Sequence, residues 1–134
     1  MTTTLTSTKD IVEAFFARFG AGDADGVLEL FADDVDFNIA GAYFVPWTGP
    51  RTDKAGVAEF LAAAAAVEPQ QFAIEQVLTD GGTGVALGHF THRVRATNKT
   101  FSSRFALHVV IEGGLITRYH MFEDSYAIAE AFRD

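Results

Sequence analysis

Proton-transfer chemistry in this chain has to come from a short set of side chains. Four histidines, His89, His92, His108 and His120, lie in the C-terminal half, and Glu123 and Asp124 follow the last of them. An imidazole titrates near ~6.5 and serves as general acid or base at neutral pH, so two in one apolar pocket can divide those roles. Asp124 can orient His120, act as a base itself, or cap a following helix. Tyr43 and Trp47 stand in an irregular stretch with Pro46, Gly49 and Pro50. Their polar ends need partners, which either a ligand or water can supply. There is no cysteine, which removes thiol nucleophiles, disulfides and cysteine zinc sites. Neither two histidines nor a histidine with an aspartate gives a metal signature at these spacings, so no metal and no cofactor is expected. Gly81-Gly82 and Gly113-Gly114 read as turns without a phosphate-loop context.

The elements that must hold these residues belong to a chain of 134 residues, the size of one domain (1–134). Hydrophobic residues make up 49% and charged residues 21%, which excludes intrinsic disorder as the general state. The net charge of −8, with few and scattered Arg and Lys, excludes nucleic acid and anionic membrane as expected partners. The N-terminus MTTTLTSTKD lacks a basic and an apolar region, so no signal peptide is expected, and the expected location is cytoplasmic.

Residues 1–6 form a Thr-rich tail expected to be disordered. Ser7 and Asp10 resemble a capping box before a helix with Ile11, Phe15 and Phe19 on one stripe. Asp23 caps a short second helix that buries Val27, Leu28, Leu30 and Phe31 and breaks at Ala32-Asp33-Asp34. Residues 35–39 alternate as a strand, residues 41–51 are irregular, and Asp53 caps a third helix to about Ala66. From Phe72 the period is two: strands over 72–79, 84–96, 100–111 and 115–123, then a closing helix through Phe132. The expected class is α+β, with three N-terminal helices and a short C-terminal helix packed on a cone-shaped, mostly antiparallel sheet.

The run GAGDADGVLELFADDV, then Trp47, Gly49, Gly56 and Phe60, then GGLITRYHMFED, resemble the nuclear-transport-factor-two-like superfamily, in its SnoaL-like and ketosteroid-isomerase-related branch. The resemblance runs from about Asp10 to Phe132 and implies a pocketed cone, a homodimer through the sheet face, and isomerase, cyclase or lyase chemistry or plain ligand binding. Ketosteroid isomerases use a carboxylate base with a Tyr and a protonated Asp as oxyanion donors. Those roles fall here on Ile39, Phe15 and Leu107, all hydrocarbon, so that mechanism is not available in its known form. The Asp-Arg-Asp set of limonene epoxide hydrolases likewise has no match.

The resemblance also implies that the strand faces carrying Phe90, Leu107 and Phe122 point into the cone. By alternation His92, Phe105, His120 and Asp124 join them, while Tyr119, Met121 and Glu123 face outward. Glu123 then reads as a surface partner of Arg118 or Arg104, unless a slip of one residue exchanges it with Asp124. The expected outer face carries Arg93, Arg95, Arg104, His108 and Tyr119. Thirteen Phe suggest an apolar cavity for a ring-shaped ligand, contacted by Tyr43, Trp47, Phe15, Ile39, Phe90, Phe105, Leu107 and Phe122. Three functions follow: an enzyme with His120 as base or acid and His92 or Asp124 as its partner, a ligand-binding module, or an interaction domain that uses the outer face.

Overall fold

The computed structural model describes residues 7–133, and the Thr-rich tail over residues 1–6 lies outside them. Helix α1 (Thr8–Gly20) starts where Ser7 Oγ accepts the Asp10 N–H at 3.0 Å, satisfying one of its orphan donors. It buries Ile11, Val12 and Phe15, and the Thr8 hydroxyl donates to the Gly81 carbonyl at 2.7 Å, tying the helix start to a sheet turn. Asp23 caps α2 (Ala24–Leu28) and Asp53 caps α3 (Lys54–Ala63), each accepting the N–H of a glycine three residues on. Asp124 caps α4 (Ser125–Phe132) by accepting the Ala127 N–H at 3.0 Å.

Six strands form one curved, unclosed sheet: β1 (Phe31–Ile39), β2 (Gly49–Asp53), β3 (Val67–Asp80), β4 (Thr83–Val94), β5 (Thr100–Glu112) and β6 (Leu115–Glu123). Their order is β2-β1-β6-β5-β4-β3, with β1 parallel to β6 and the other pairs antiparallel. The α+β class and its helix-on-sheet arrangement are as expected. Several boundaries differ, among them the start of β3, which lies at Val67 and not at Phe72. Phe31 to Asp34 extend β1 instead of ending α2, because Ile116 N–H takes the Leu30 carbonyl at 2.8 Å and aligns the chain beside β6. Residues 49–53 are an edge strand, and Pro50 is tolerated there because an edge leaves amide positions unpaired.

Curvature comes from irregularities in β3, where one extra residue enters the ladder between Pro69 and Gln71 and another between Ile74 and Gln76. Gly88 faces the second of these. A Cβ there would lie 2.3 Å from the Ala73 carbonyl oxygen and 2.7 Å from the Phe105 ring, so only glycine lets the ring settle into the bend. No helix among the described residues is long and apolar enough to cross a membrane.

Candidate functional site

The helices close over the concave side of the sheet and leave a cavity of about 370 Å³. Its wall is aromatic: Phe15, Phe16 and Phe19 from α1, Phe60 from α3, Phe72 and Phe90 from β3 and β4, and Trp47 from the loop between β1 and β2. Ile39, Ala64, Val67, Pro69 and Met121 complete the apolar lining. Three polar side chains enter this wall, namely His92, Tyr119 and Glu123.

Glu123 sits at the end of β6 with its carboxyl turned inward. The Trp47 indole Nε1–H donates to its Oε2 at 3.1 Å. Burial raises the cost of the charged form and pushes the carboxyl up to about 7, against which the Trp47 hydrogen bond works as the smaller effect. Trp47 is itself fixed: its carbonyl accepts Arg51 Nη1–H at 2.9 Å, and its ring meets Phe132 of α4 edge-on at 5.4 Å. The surrounding loop is closed by the Thr48 hydroxyl against the Ala42 and Val45 carbonyls.

The Tyr119 ring is enclosed by Phe15, Phe31, Phe37 and Phe60, stacking on Phe37 at 4.5 Å. Burial first, and then the nearby Glu123 carboxylate, hold its hydroxyl far above the ordinary tyrosine value, so it stays protonated. The His92 ring stacks on Phe90 at 4.7 Å and meets Phe101 edge-on at 5.8 Å. Its Nδ1 is buried without a hydrogen-bond partner. Burial lowers its pKa, opposed by a weaker contribution from the Thr91 backbone, so the neutral imidazole is favoured at pH 7. Phe101 also lies 6.5 Å from the Trp47 ring, and so links the histidine side of the cavity to the indole that holds Glu123.

The expectation for β6 is corrected. Ile111 pairs with Ile116 but Val110 pairs with Arg118, so β6 carries one extra residue at Thr117. This bulge reverses the alternation beyond it, bringing Tyr119, Met121 and Glu123 inward and turning His120 and Phe122 outward. His120 is therefore outside the cavity: its Nε2 bonds Asp36 Oδ1 at 2.9 Å, and Arg118 Nε donates to Asp36 Oδ2 at 3.2 Å. Phe122 is 55% exposed. Glu123, read from sequence as a surface residue, is a cavity residue, and Tyr119 moves with it off the expected outer face.

Asp124 is the cap of α4, and its own N–H donates to Ser103 Oγ at 2.8 Å. Tyr43 is 95% exposed on the loop and stands away from the cavity. Phe105 and Leu107 do face the concave side, but they are packed in the core behind the wall, Phe105 between Phe72 and Phe90. Phe15, Ile39, Trp47, Phe90 and His92 line the cavity. The signal that locates Glu123 is in the spacing: Ile116 and Tyr119 are three apart, while Tyr119 and Met121 are two apart, which marks an inserted residue between apolar positions.

A curved sheet with an aromatic cavity under its helices defines an NTF2-like fold, and residues 12–119 match the family model of the SnoaL-like domain, so the chain belongs to that family. An NTF2-like protein from Burkholderia xenovorans LB400 is 28% identical, with a TM-score of 0.86 over 94% of this chain and 95% of its own. TerC, co-crystallised with polyporic acid, is 21% identical, with a TM-score of 0.81 over 92% of this chain and 96% of its own. A protein of ketosteroid isomerase-like fold from Catenulispora acidiphila DSM 44928, in complex with trimethylamine, is 16% identical, with a TM-score of 0.76 and 93% coverage of each chain. No curated protein matches the chain.

Proposed function

We propose that this protein is an enzyme that moves a proton within a hydrophobic carbonyl compound, by acid-base chemistry of the isomerase, cyclase or lyase type. Glu123 and His92 carry the chemistry. The neutral His92 imidazole takes the proton from carbon beside the carbonyl, and the electron pair left behind shifts onto the carbonyl oxygen. Protonated Glu123 donates to that oxygen as charge develops, as a carboxyl kept neutral by an apolar site can do at pH 7. The proton then returns to carbon at the same or another position. Tyr119 adds a hydroxyl that stays protonated, and Trp47 fixes the carboxyl. The observation that carries the reading is Glu123, half-buried in the wall of an otherwise aromatic cavity and poised near neutrality. Similar folds that hold small molecules in their structures favour a small-molecule ligand here as well.

The test needs no known substrate. A panel of hydrophobic ketones and enones is incubated with protein in D₂O, and deuterium uptake beside the carbonyl is followed by NMR. Wild-type protein is expected to exchange at least one compound, with Glu123→Gln and His92→Phe each slower by ~10²–10⁴-fold. Exchange at the wild-type rate in both variants overturns the assignment.

The convex sheet face carries His108, His120, Arg104 and Arg118 with Phe122, which is exposed. We take it as the face through which two copies pair, since an exposed aromatic ringed by mixed charge suits a self-complementary contact.

A further inference from the structure

The cavity sets one carboxyl in an aromatic wall and holds no cation of its own. Six Phe side chains, Trp47 and Tyr119 line it, and among the described residues of its wall there is no Lys and no Arg. Its titratable groups are His92 from β4 and Tyr119 and Glu123 from β6, while α1, α3, β1 and β3 present only apolar side chains. Arg51 of β2 is turned to the Trp47 and Thr48 carbonyls and to the Phe37 ring, and does not line the cavity. Only burial and the Trp47 hydrogen bond act on the Glu123 carboxyl, so its charge has no counter-ion within the chain. The Trp47 N–H takes Oε2 at 3.1 Å and leaves Oε1 for a ligand.

A hydrophobic ammonium ion supplies the missing counter-ion. A tertiary ammonium has one N–H to satisfy, which matches one open carboxylate oxygen as a charge-assisted hydrogen bond. Aromatic rings attract a cation through the negative charge of their faces, which offsets part of the hydration it leaves behind. The net charge of −8 favours the approach of a cation. We propose that the cavity also binds compact hydrophobic tertiary amines as their ammonium ions, with Glu123 as the counter-ion. This ligand class goes beyond the carbonyl compounds above and takes from that reading only the place of Glu123 in the wall. A cavity of about 370 Å³, at the small end of ligand sites that run from ~300 to ~1,000 Å³, limits such an amine to a compact body. The two ligand classes need opposite states of one group, the amine the carboxylate and the carbonyl compound the carboxylic acid. With the carboxyl at about 7, both states are populated at neutral pH. Where the acid form prevails, its proton leaves to solvent as the ammonium enters.

Trp47 is the chain's single tryptophan and is hydrogen-bonded to Glu123, so its fluorescence reports a ligand at the carboxyl. Two probes of one shape are titrated at pH 5 and pH 8: N,N-dimethylcyclohexylammonium, which stays protonated at both, and the neutral alcohol 2-cyclohexylpropan-2-ol. At pH 8 the ammonium is expected to bind at least ~30-fold tighter than the alcohol. Its affinity should fall ~100-fold from pH 8 to pH 5 as the carboxyl takes up its proton, and that of the alcohol should not. Any proton that His92 gains at the acid end works in the same direction, since it adds a cation to the wall. Calorimetry at pH 6, in buffers of differing ionisation enthalpy, should count about one proton released per ammonium bound. Glu123→Gln keeps the shape of the side chain and should hold the ammonium no better than the alcohol. Equal affinities for the two probes in wild type, an ammonium affinity indifferent to pH, or ammonium binding retained in Glu123→Gln each overturn the proposal. So does failure of the ammonium to bind at pH 8. Because binding is read without turnover, absent ammonium binding and absent deuterium exchange are separate results, and each reading can fail alone.

Discussion

The Trp47 indole donates its N–H to Glu123 across 76 positions of chain, and this 3.1 Å contact joins the loop over the cavity to the last strand beneath it. The bond holds one carboxyl oxygen and leaves the other for the proton. It also sets what the carboxyl costs the fold, because the same burial that positions it penalises its charge.

Stability should therefore fall as pH rises through the titration of Glu123. Its carboxyl stands at about 7 in the fold and at 4.5 as the ordinary value, so between those limits the native state binds more protons than the unfolded chain. The sign of the linkage makes rising pH destabilising across that window, by up to about 3 kcal/mol. Glu123→Gln has no such proton to lose. Thermal melts should show the variant gaining several degrees on wild type between pH 4.5 and 8, and parallel curves would mean that the carboxyl is solvated.

His92 carries a buried nitrogen with no partner, and such an atom costs ~1–3 kcal/mol. His92→Phe keeps the stack on Phe90 and removes that atom. Chemical denaturation at pH 7 should find the variant at least as stable as wild type, by about 1 kcal/mol. Since burial depresses the imidazole pKa, wild type also loses stability as pH falls below the ordinary value of 6.5, and the gap should widen there. A variant that is less stable at every pH contradicts the apolar setting assigned to this ring.

His120→Ala should leave deuterium exchange within a factor of ~2 of wild type, because its ring faces away from the cavity. The change removes the largest influence that holds the Asp36 carboxyl below its ordinary range, leaving Arg118 as the partner. A lowered carboxylate stabilises above its ordinary value of 3.8 and loses that contribution as pH falls through the folded value. In so exposed a pair the loss should stay under ~1 kcal/mol. An exchange rate that collapses in this variant would move the chemistry to the other side of the sheet.

Phe122→Glu should separate paired copies, with sedimentation velocity showing the dimer dissociation constant raised at least ~30-fold. Phe122 is exposed and on the convex face, so the fold itself should be unaffected. A wild-type protein that sediments as a monomer at every concentration removes the pairing reading.

Much of the architecture was legible because it rests on local signals. Ser7, Asp23, Asp53 and Asp124 each cap the helix that their side chains suggest, and the period-two runs after Phe72 became β3 to β6. Alternation sorted the faces of β4 and β5 and the family resemblance said which is concave, and together they put Phe90, His92 and Phe105 on the correct side. The site failed to read at β6, where alternation was carried through a bulge that only the partner strand reveals. Every residue of β6 beyond Thr117 was assigned to the wrong face, which exchanged His120 and Phe122 for Tyr119, Met121 and Glu123. The start of β3 was missed for a related reason: Pro69 and Gln70 look like a break, yet an edge strand with a bulge accepts both.

The extra residue at Thr117 acts as a selector between two chemistries that one segment encodes. The outward set holds His120, already bonded to a carboxylate, and the inward set holds Glu123 with Tyr119. Were the same residues paired without the bulge, Arg118, His120 and Phe122 would share the face of Ile116, so the place where the ladder absorbs its extra residue decides whether this segment offers the cavity a carboxyl or an imidazole. In a scaffold of this kind, the placement of a bulge can set the chemistry of a site as effectively as the side chains that the strand carries.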